Sequence, residues 1–276
     1  MTYKTILLHI DSGKCCPVRV EIAAQLALRF DAHLIGLYAM TTGHSAASRL
    51  FVTGPEIVEQ QRQVATEQAR QAQALFDGAA QRGGLAKAEW RVSSDDALTA
   101  LTMQARYADL VMIGQSEPWV DSGVDNAFAR RAVLAAGRPV LVVPYIAGAS
   151  TIGKNILLAW NASREATRAT TDALPFLRSA DAVAVVAVKP RGKSHGEVPG
   201  VDIGPYLARH GVSVKTSTVE AEEADVATLL LSHAADLSSD LIVMGAYGHS
   251  RFSELVLGGA TRTMLESMTV PVLMSH

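Results

Sequence analysis

The chain repeats itself. Lys4-Thr5-Ile6-Leu7-Leu8-His9-Ile10-Asp11 returns as Lys154-Asn155-Ile156-Leu157-Leu158-Ala159-Trp160-Asn161, a constant shift of 150 positions. Each copy leads into a helical pattern, over 17–30 in the first and 164–177 in the second. A second apolar run follows in each, AHLIGLYAM (32–40) and AVAVVAVKP (182–190). Later, ADLVMIG ends at Gly114 and SDLIVMG at Gly245, and the runs RPVLVVPY (138–145) and VPVLMSH (270–276) close the two copies. Weaker third runs, AKAEWRV (86–92) and VSVKTSTV (212–219), complete five strands per half. A period of about half the chain is too long for a solenoid repeat and reads as a tandem duplication. The small-residue stretch YIAGASTIG (145–153) is the joint, so residues 1–148 and 149–276 are expected to form two domains.

Short apolar runs that alternate with helical patterns imply right-handed crossovers and a parallel sheet. A chain that is 49% hydrophobic but only 5% aromatic suits strands covered by helices on both faces. The halves differ between strands two and three. The first has a helical pattern over about 55–76, with Ile57, Val64, Ala65, Ala69, Ala72 and Phe76 on one face. The second has the polar stretch KPRGKSHGEVPG (189–200) and a short helix near 205–210.

A net charge of −2 gives no basic footprint, so nucleic acid is not an expected partner. No apolar run approaches the length of a membrane span. The opening stretch MTYKTILLHIDSG lacks a signal-peptide layout, and the adjacent Cys15 and Cys16 are poorly placed to pair with each other. These features point to a cytoplasmic protein with reduced thiols. Cys15-Cys16 precede the first helix, where a thiolate would be stabilised; two small loop residues are the plainer account. His9, in a strand with no second ligand at metal spacing, reads as structural.

The stretch MGAYGHSRFSELVLGGATRTML (244–265) carries the chemistry. Gly245, Gly248 and Gly258-Gly259 leave a strand and enter a helix. In an open parallel sheet, ligands bind beyond the carboxyl ends of the strands. Glycines allow close approach to backbone amides, and a helix start adds its positive end. Phosphate is the natural guest, with His249 inside the loop and the amides of Gly258, Gly259 and Ala260 at the helix start. The plainer account makes these glycines turn and close-packing residues. The pattern is neither a Walker loop nor a dinucleotide fingerprint.

Gly245, two residues, Gly248, nine residues and Gly258 resemble the nucleotide-binding loop of the universal stress protein family, and Asp11 resembles its aspartate at the end of strand one. The resemblance covers the whole chain as two tandem copies. It implies two open-twisted five-stranded parallel sheets of order 3-2-1-4-5 with helices on both faces, a role in stress survival, and ATP or AMP as ligand, with or without Mg²⁺. The two halves share the family's elements unevenly. The first half has Asp11, but Glu117 replaces the second glycine, Pro118 removes an amide donor, and Asn126-Ala127 stand opposite Gly258-Gly259. The second half has the glycines, but Asn161 replaces the aspartate and Gly259 the usual Ser or Thr. The expected site is therefore Asn161, Ser163, Gly245, Gly248, His249, Gly258, Gly259 and Ala260, with altered nucleotide binding. Ser163 either faces the ligand or caps the helix. No catalytic set or metal motif is evident, so ATP hydrolysis would be slow at most. The competing classes are an interaction module without nucleotide and a slow ATPase. A protein partner is expected, but its identity is not encoded in any motif. The closing strands, proline-led and apolar, are expected at sheet edges and to pair within the chain as a pseudo-dimer. Homodimerisation through helical faces is left open.

Overall fold

The computed structural model describes residues 2–40, 55–116, 124–146, 152–190, 202–222, 225–248 and 259–276. The first half runs β1 (Thr5–Ile10), α1 (Cys16–Phe30), β2 (His33–Ala39), α2 (Pro55–Arg82), β3 (Ala88–Ser93), α3 (Ala97–Ala105), β4 (Leu110–Gly114), α4 (Phe128–Ala135) and β5 (Val140–Val143). The second runs β6 (Asn155–Trp160), α5 (Arg164–Asp172), α6 (Leu174–Arg178), β7 (Ala182–Pro190), α7 (Ile203–Arg209), β8 (Lys215–Ala221), α8 (Val226–Asp236), β9 (Leu241–Gly245), α9 (Gly259–Ser267) and β10 (Val272–Ser275).

Each half is a parallel sheet of order 3-2-1-4-5, and the two join into one ten-stranded sheet, β3-β2-β1-β4-β5-β10-β9-β6-β7-β8. The join is antiparallel, with Val140 opposite Met274 and Val142 opposite Val272. The closing strands, apolar and fully buried, therefore cover each other's edges within one chain. The central strands are buried on both faces, and alternate residues feed two cores. Ile6, Leu8 and Leu241 face one side, and Leu7, Val111 and Ile242 face the other.

Local chemistry sets the element ends. α1 stops at Asp31, which takes φ 51°, and the Ala32 amide closes back onto Ala27 O at 2.8 Å. The helical pattern over 164–177 is two helices, because Pro175 has no amide to continue the hydrogen-bond ladder. α2 continues beyond the expected 76 to Arg82. It buries Ala65, Phe76, Ala79 and Ala80, whereas Val64 is 52% exposed and leaves the stripe. The side chain of Ile57 lies outside the described residues. Phe76 lies over Gly36, where an added Cβ would stand 2.7 Å from its ring.

Side chains also weld the halves. On one face, Arg29 of α1 donates to Ile152 O (2.6 Å), Gly153 O (3.1 Å), and Ser179 O and Oγ (3.1 and 2.6 Å), all in the second half. Tyr3, Phe30 and Phe176 form an aromatic cluster beneath it, and Tyr3 Oη donates to Asp172 O at 2.7 Å. On the other face, Gln115 Nε2 donates to Leu265 O (2.9 Å) and Glu266 O (3.2 Å) at the end of α9. The duplication extends to polar pins. Asp109 accepts from the Lys4 and Thr5 amides, as Asp240 does from those of Gly153, Lys154 and Asn155. No helix among the described residues is long and apolar enough to cross a membrane.

Candidate functional site

In the second half, β6 and β9 are hydrogen-bonded neighbours, so their carboxyl ends meet. Beyond β6, Asn161 Oδ1 accepts from Ser163 N at 3.1 Å, closing a side-chain turn around Ala162, whose φ is 58°. Ser163 caps α5, its Oγ accepting from Ala166 N at 3.1 Å. Beyond β9, the chain passes through Gly245, buried Ala246, Tyr247 at φ 60°, and exposed Gly248.

The two glycines face α5. A Cβ on Gly245 would lie 2.5 Å from Ala166 N and 2.6 Å from Glu165 C, and one on Gly248 would lie 2.9 Å from Glu165 Oε2 and 3.3 Å from Ser163 Oγ. Close packing onto the start of α5 therefore accounts for Gly245, while Gly248 leaves room for a carboxylate and a hydroxyl. Gly259 and Ala260 open α9, which is tied to the loop by Tyr247 N donating to Thr261 Oγ1 at 3.2 Å. The structure thus gathers Asn161, Ser163, Gly245 and Gly248 at one strand crossing. His249 and Gly258 lie outside the described residues.

Glu165 went unnoticed in the sequence. Its side chain is 8% exposed and pairs with Arg164 at 3.1 Å. Burial opposes its ionisation, but its own backbone amide, Arg164 and His276 prevail and hold its carboxyl below the usual range. The loop at Gly248 consequently faces a negative charge.

The first half fills the equivalent space with a side chain. Asp11 Oδ1 accepts from Gly13 N at 2.9 Å, a turn like that of Asn161, but Oδ2 is bound by Arg19 Nη2 at 2.7 Å. Arg19 is buried, its Nε donates to His9 O at 3.3 Å, and its Nη1 would stand 2.0 Å from a Cβ on Gly114. Gly114 is thus required by the arginine crossing from α1 to the end of β4. The shift that aligns Asp11 with Asn161 places Ala169 at the position of Arg19. Burial opposes ionisation of Asp11, but Arg19 and His9 hold its carboxyl below the usual range. Burial pushes His9 down to about 4, so it is neutral near pH 7, packed on Phe128 at 4.7 Å. Its Nδ1 has no hydrogen-bond partner among the described residues and lies 3.7 Å from Asp11 Oδ2. The available sequence signal for Arg19 was a charge on the helical stripe Cys16, Arg19, Val20, Ala23. Cys16 is buried and its thiol is pushed up by burial, which disfavours the thiolate that a redox sensor needs. Cys15 Sγ donates to Tyr145 O at 2.6 Å. Glu117 and Pro118 lie outside the described residues.

Among solved structures, a universal stress protein from Archaeoglobus fulgidus DSM 4304 is similar at TM-score 0.74 and 12% identity, over 98% of this chain and 95% of that one. A protein of unknown function from Pseudomonas aeruginosa PAO1 is similar at 0.62 and 15%, over 99% and 92%. A universal stress protein, so far putative, from P. aeruginosa UCBPP-PA14 is similar at 0.64 and 16%, over 99% and 93%. At these identities the likeness is one of fold. No curated protein matches significantly. The sequence profile of the universal stress protein family matches twice, over residues 2–144 and 153–276. The chain belongs to the universal stress protein family, with two of its domains in tandem forming an intramolecular pseudo-dimer.

Proposed function

We propose that this protein is a nucleotide-responsive regulator of stress survival, built from units 1–148 and 149–276, that binds one adenine nucleotide, ATP or AMP, in its second half. The observation that carries this reading is the convergence of the Asn161–Ser163 turn with the Gly245–Gly248 loop at the carboxyl ends of two adjacent parallel strands. The first half has the same crossing, closed by Arg19. In this reading Asn161 contacts the base or ribose, and the amides near Gly248, Gly259 and Ala260 receive phosphate. Gly258 and His249 complete the loop. Binding biases the surface offered to a protein partner, and hydrolysis is slow at most. Mg²⁺, where it accompanies the nucleotide, screens the phosphates from Glu165.

Glu165 favours a second reading. A buried carboxylate against Gly248 repels phosphate, which suits an interaction module that works without nucleotide. Titration of the full chain with ATP and AMP, with and without Mg²⁺, separates the two. The first reading expects one site per chain and its loss in Gly248→Glu, which adds charge and bulk beside Glu165 and Ser163. Absence of binding, or a variant that binds like the parent, would refute the site.

A further inference from the structure

On one face of the sheet, α4 and α9 meet across the join between the halves, and a cleft of about 460 Å³ opens there. Ser116, Asn126 and Arg130 line it from the first half, and Arg262, Leu265 and Glu266 from the second. The offset that aligns Val140 with Val272 also aligns Arg130 with Arg262, so the duplication has brought two equivalent guanidinium groups to one cleft.

Its mixed lining offers several donors. Arg130 has no carboxylate partner among the described residues. The amides of Ala129 and Arg130, in the first turn of α4, have no acceptor among them either. The acidic groups nearby are engaged. Glu266 is bound by Arg262 Nε at 2.8 Å, and Asp125 is held by Arg131 and by the Ala127 amide. The carbonyls that end α9 are covered by Gln115 Nε2. The halves also differ at one position. Counting from Gly114 and Gly245, Ser116 stands where the second half has Tyr247, so the first-half side of the join carries a small hydroxyl instead of a ring.

We propose that this cleft binds a small phosphate-bearing anion, gripped by Arg130 from one half and Arg262 from the other. Two guanidinium groups from separate helices, Arg130 and Arg262 through its nitrogens other than the Nε held by Glu266, match the several oxygens of a phosphoryl group, and the Asn126 amide side chain adds a neutral donor. The site is independent of the nucleotide site proposed above, and its ligand ties α4 to α9.

The test uses the full chain carrying Gly248→Glu, which silences the second-half loop, titrated calorimetrically with inorganic pyrophosphate and then orthophosphate. One pyrophosphate per chain is expected. Arg130→Ala should weaken it at least about tenfold. Arg262→Ala combined with Glu266→Gln, which avoids baring a carboxylate, should do the same. Ser116→Tyr, which copies the second half, should block the cleft without removing a charge. Arg62→Ala on exposed α2 should leave affinity unchanged, and unfolding midpoints confirm that each variant is folded. If neither probe binds at millimolar concentration, or if any of the three cleft variants binds pyrophosphate like the parent, the cleft is not an anion site.

Discussion

Replacing Arg19 by Met keeps most of its volume and removes its charge. Asp11 then remains with 8% of its side chain exposed and no counter-charge. Breaking a buried pair from one side costs about 3–5 kcal/mol, because the stranded charge has lost both water and partner. Asp11→Asn strands Arg19, 4% exposed, at a similar cost. The double variant leaves neither charge. It also approximates the sequence of the second half, where Asn161 stands at the place of Asp11 and the uncharged Ala169 at that of Arg19. It should fall within about 2 kcal/mol of the parent, where additivity would place it about 6–10 kcal/mol below. The cycle is read by urea unfolding near pH 7. A pH series adds a signed check. Asp11 has a lowered folded value in the parent, so its contribution is present above about pH 4 and is lost as pH falls further. In Arg19→Met burial raises that value, so the variant regains stability as Asp11 protonates, and the gap to the parent narrows toward acid. Single variants costing under about 1 kcal/mol, or an additive double, would refute the buried pair as the element that closes the first-half crossing.

Three further outcomes follow from the same geometry. His9 is held neutral down to about 4, whereas an unfolded His protonates near 6.5, so the parent should lose stability progressively as pH falls through that window, by up to about 3 kcal/mol; His9→Leu should flatten this part of the profile, and an unchanged profile would clear His9. Arg29→Ala removes donors to three second-half residues and the contacts over Phe30 and Phe176, and should lower stability by about 2–3 kcal/mol at constant mass in solution. Asn161→Asp should tighten adenine-nucleotide binding by at most about a hundredfold, the worth of one charge-assisted hydrogen bond; weaker or equal affinity by calorimetry would show that this side chain does not face the ligand.

The strands were legible because each central one is buried on both faces and must be a short apolar run, twice over at a fixed shift. The pairing of the closing strands was legible for a related reason. Pro139 and Pro271 precede apolar edges that invite pairing, and with both copies on one chain they cover each other. Less legible were features that depend on which helical face turns inward. Arg19 is a lone charge on an otherwise apolar stripe and Glu165 one of several charges in a polar stretch, and only the packing of α1 and α5 onto β4 and β9 reveals that both are buried beside the strand crossings. The same packing gives Gly114 and Gly245 a structural task. A glycine that lets a ligand approach and one that lets a helix approach are identical in sequence. Val64 left the expected stripe of α2 because the helix is mostly solvent-facing and carries Glu59–Arg62 and Glu67–Arg70 pairs along that length.

Whether one half of this pseudo-dimer is the ligand-binding half is tested most directly by amide hydrogen exchange on the full chain, with and without saturating ATP. The account predicts slowed exchange over residues 161–166 and 245–248 and at the start of α9, with no change over residues 9–16, where Arg19 already occupies the crossing. Protection over residues 9–16, or none in either half, would contradict it.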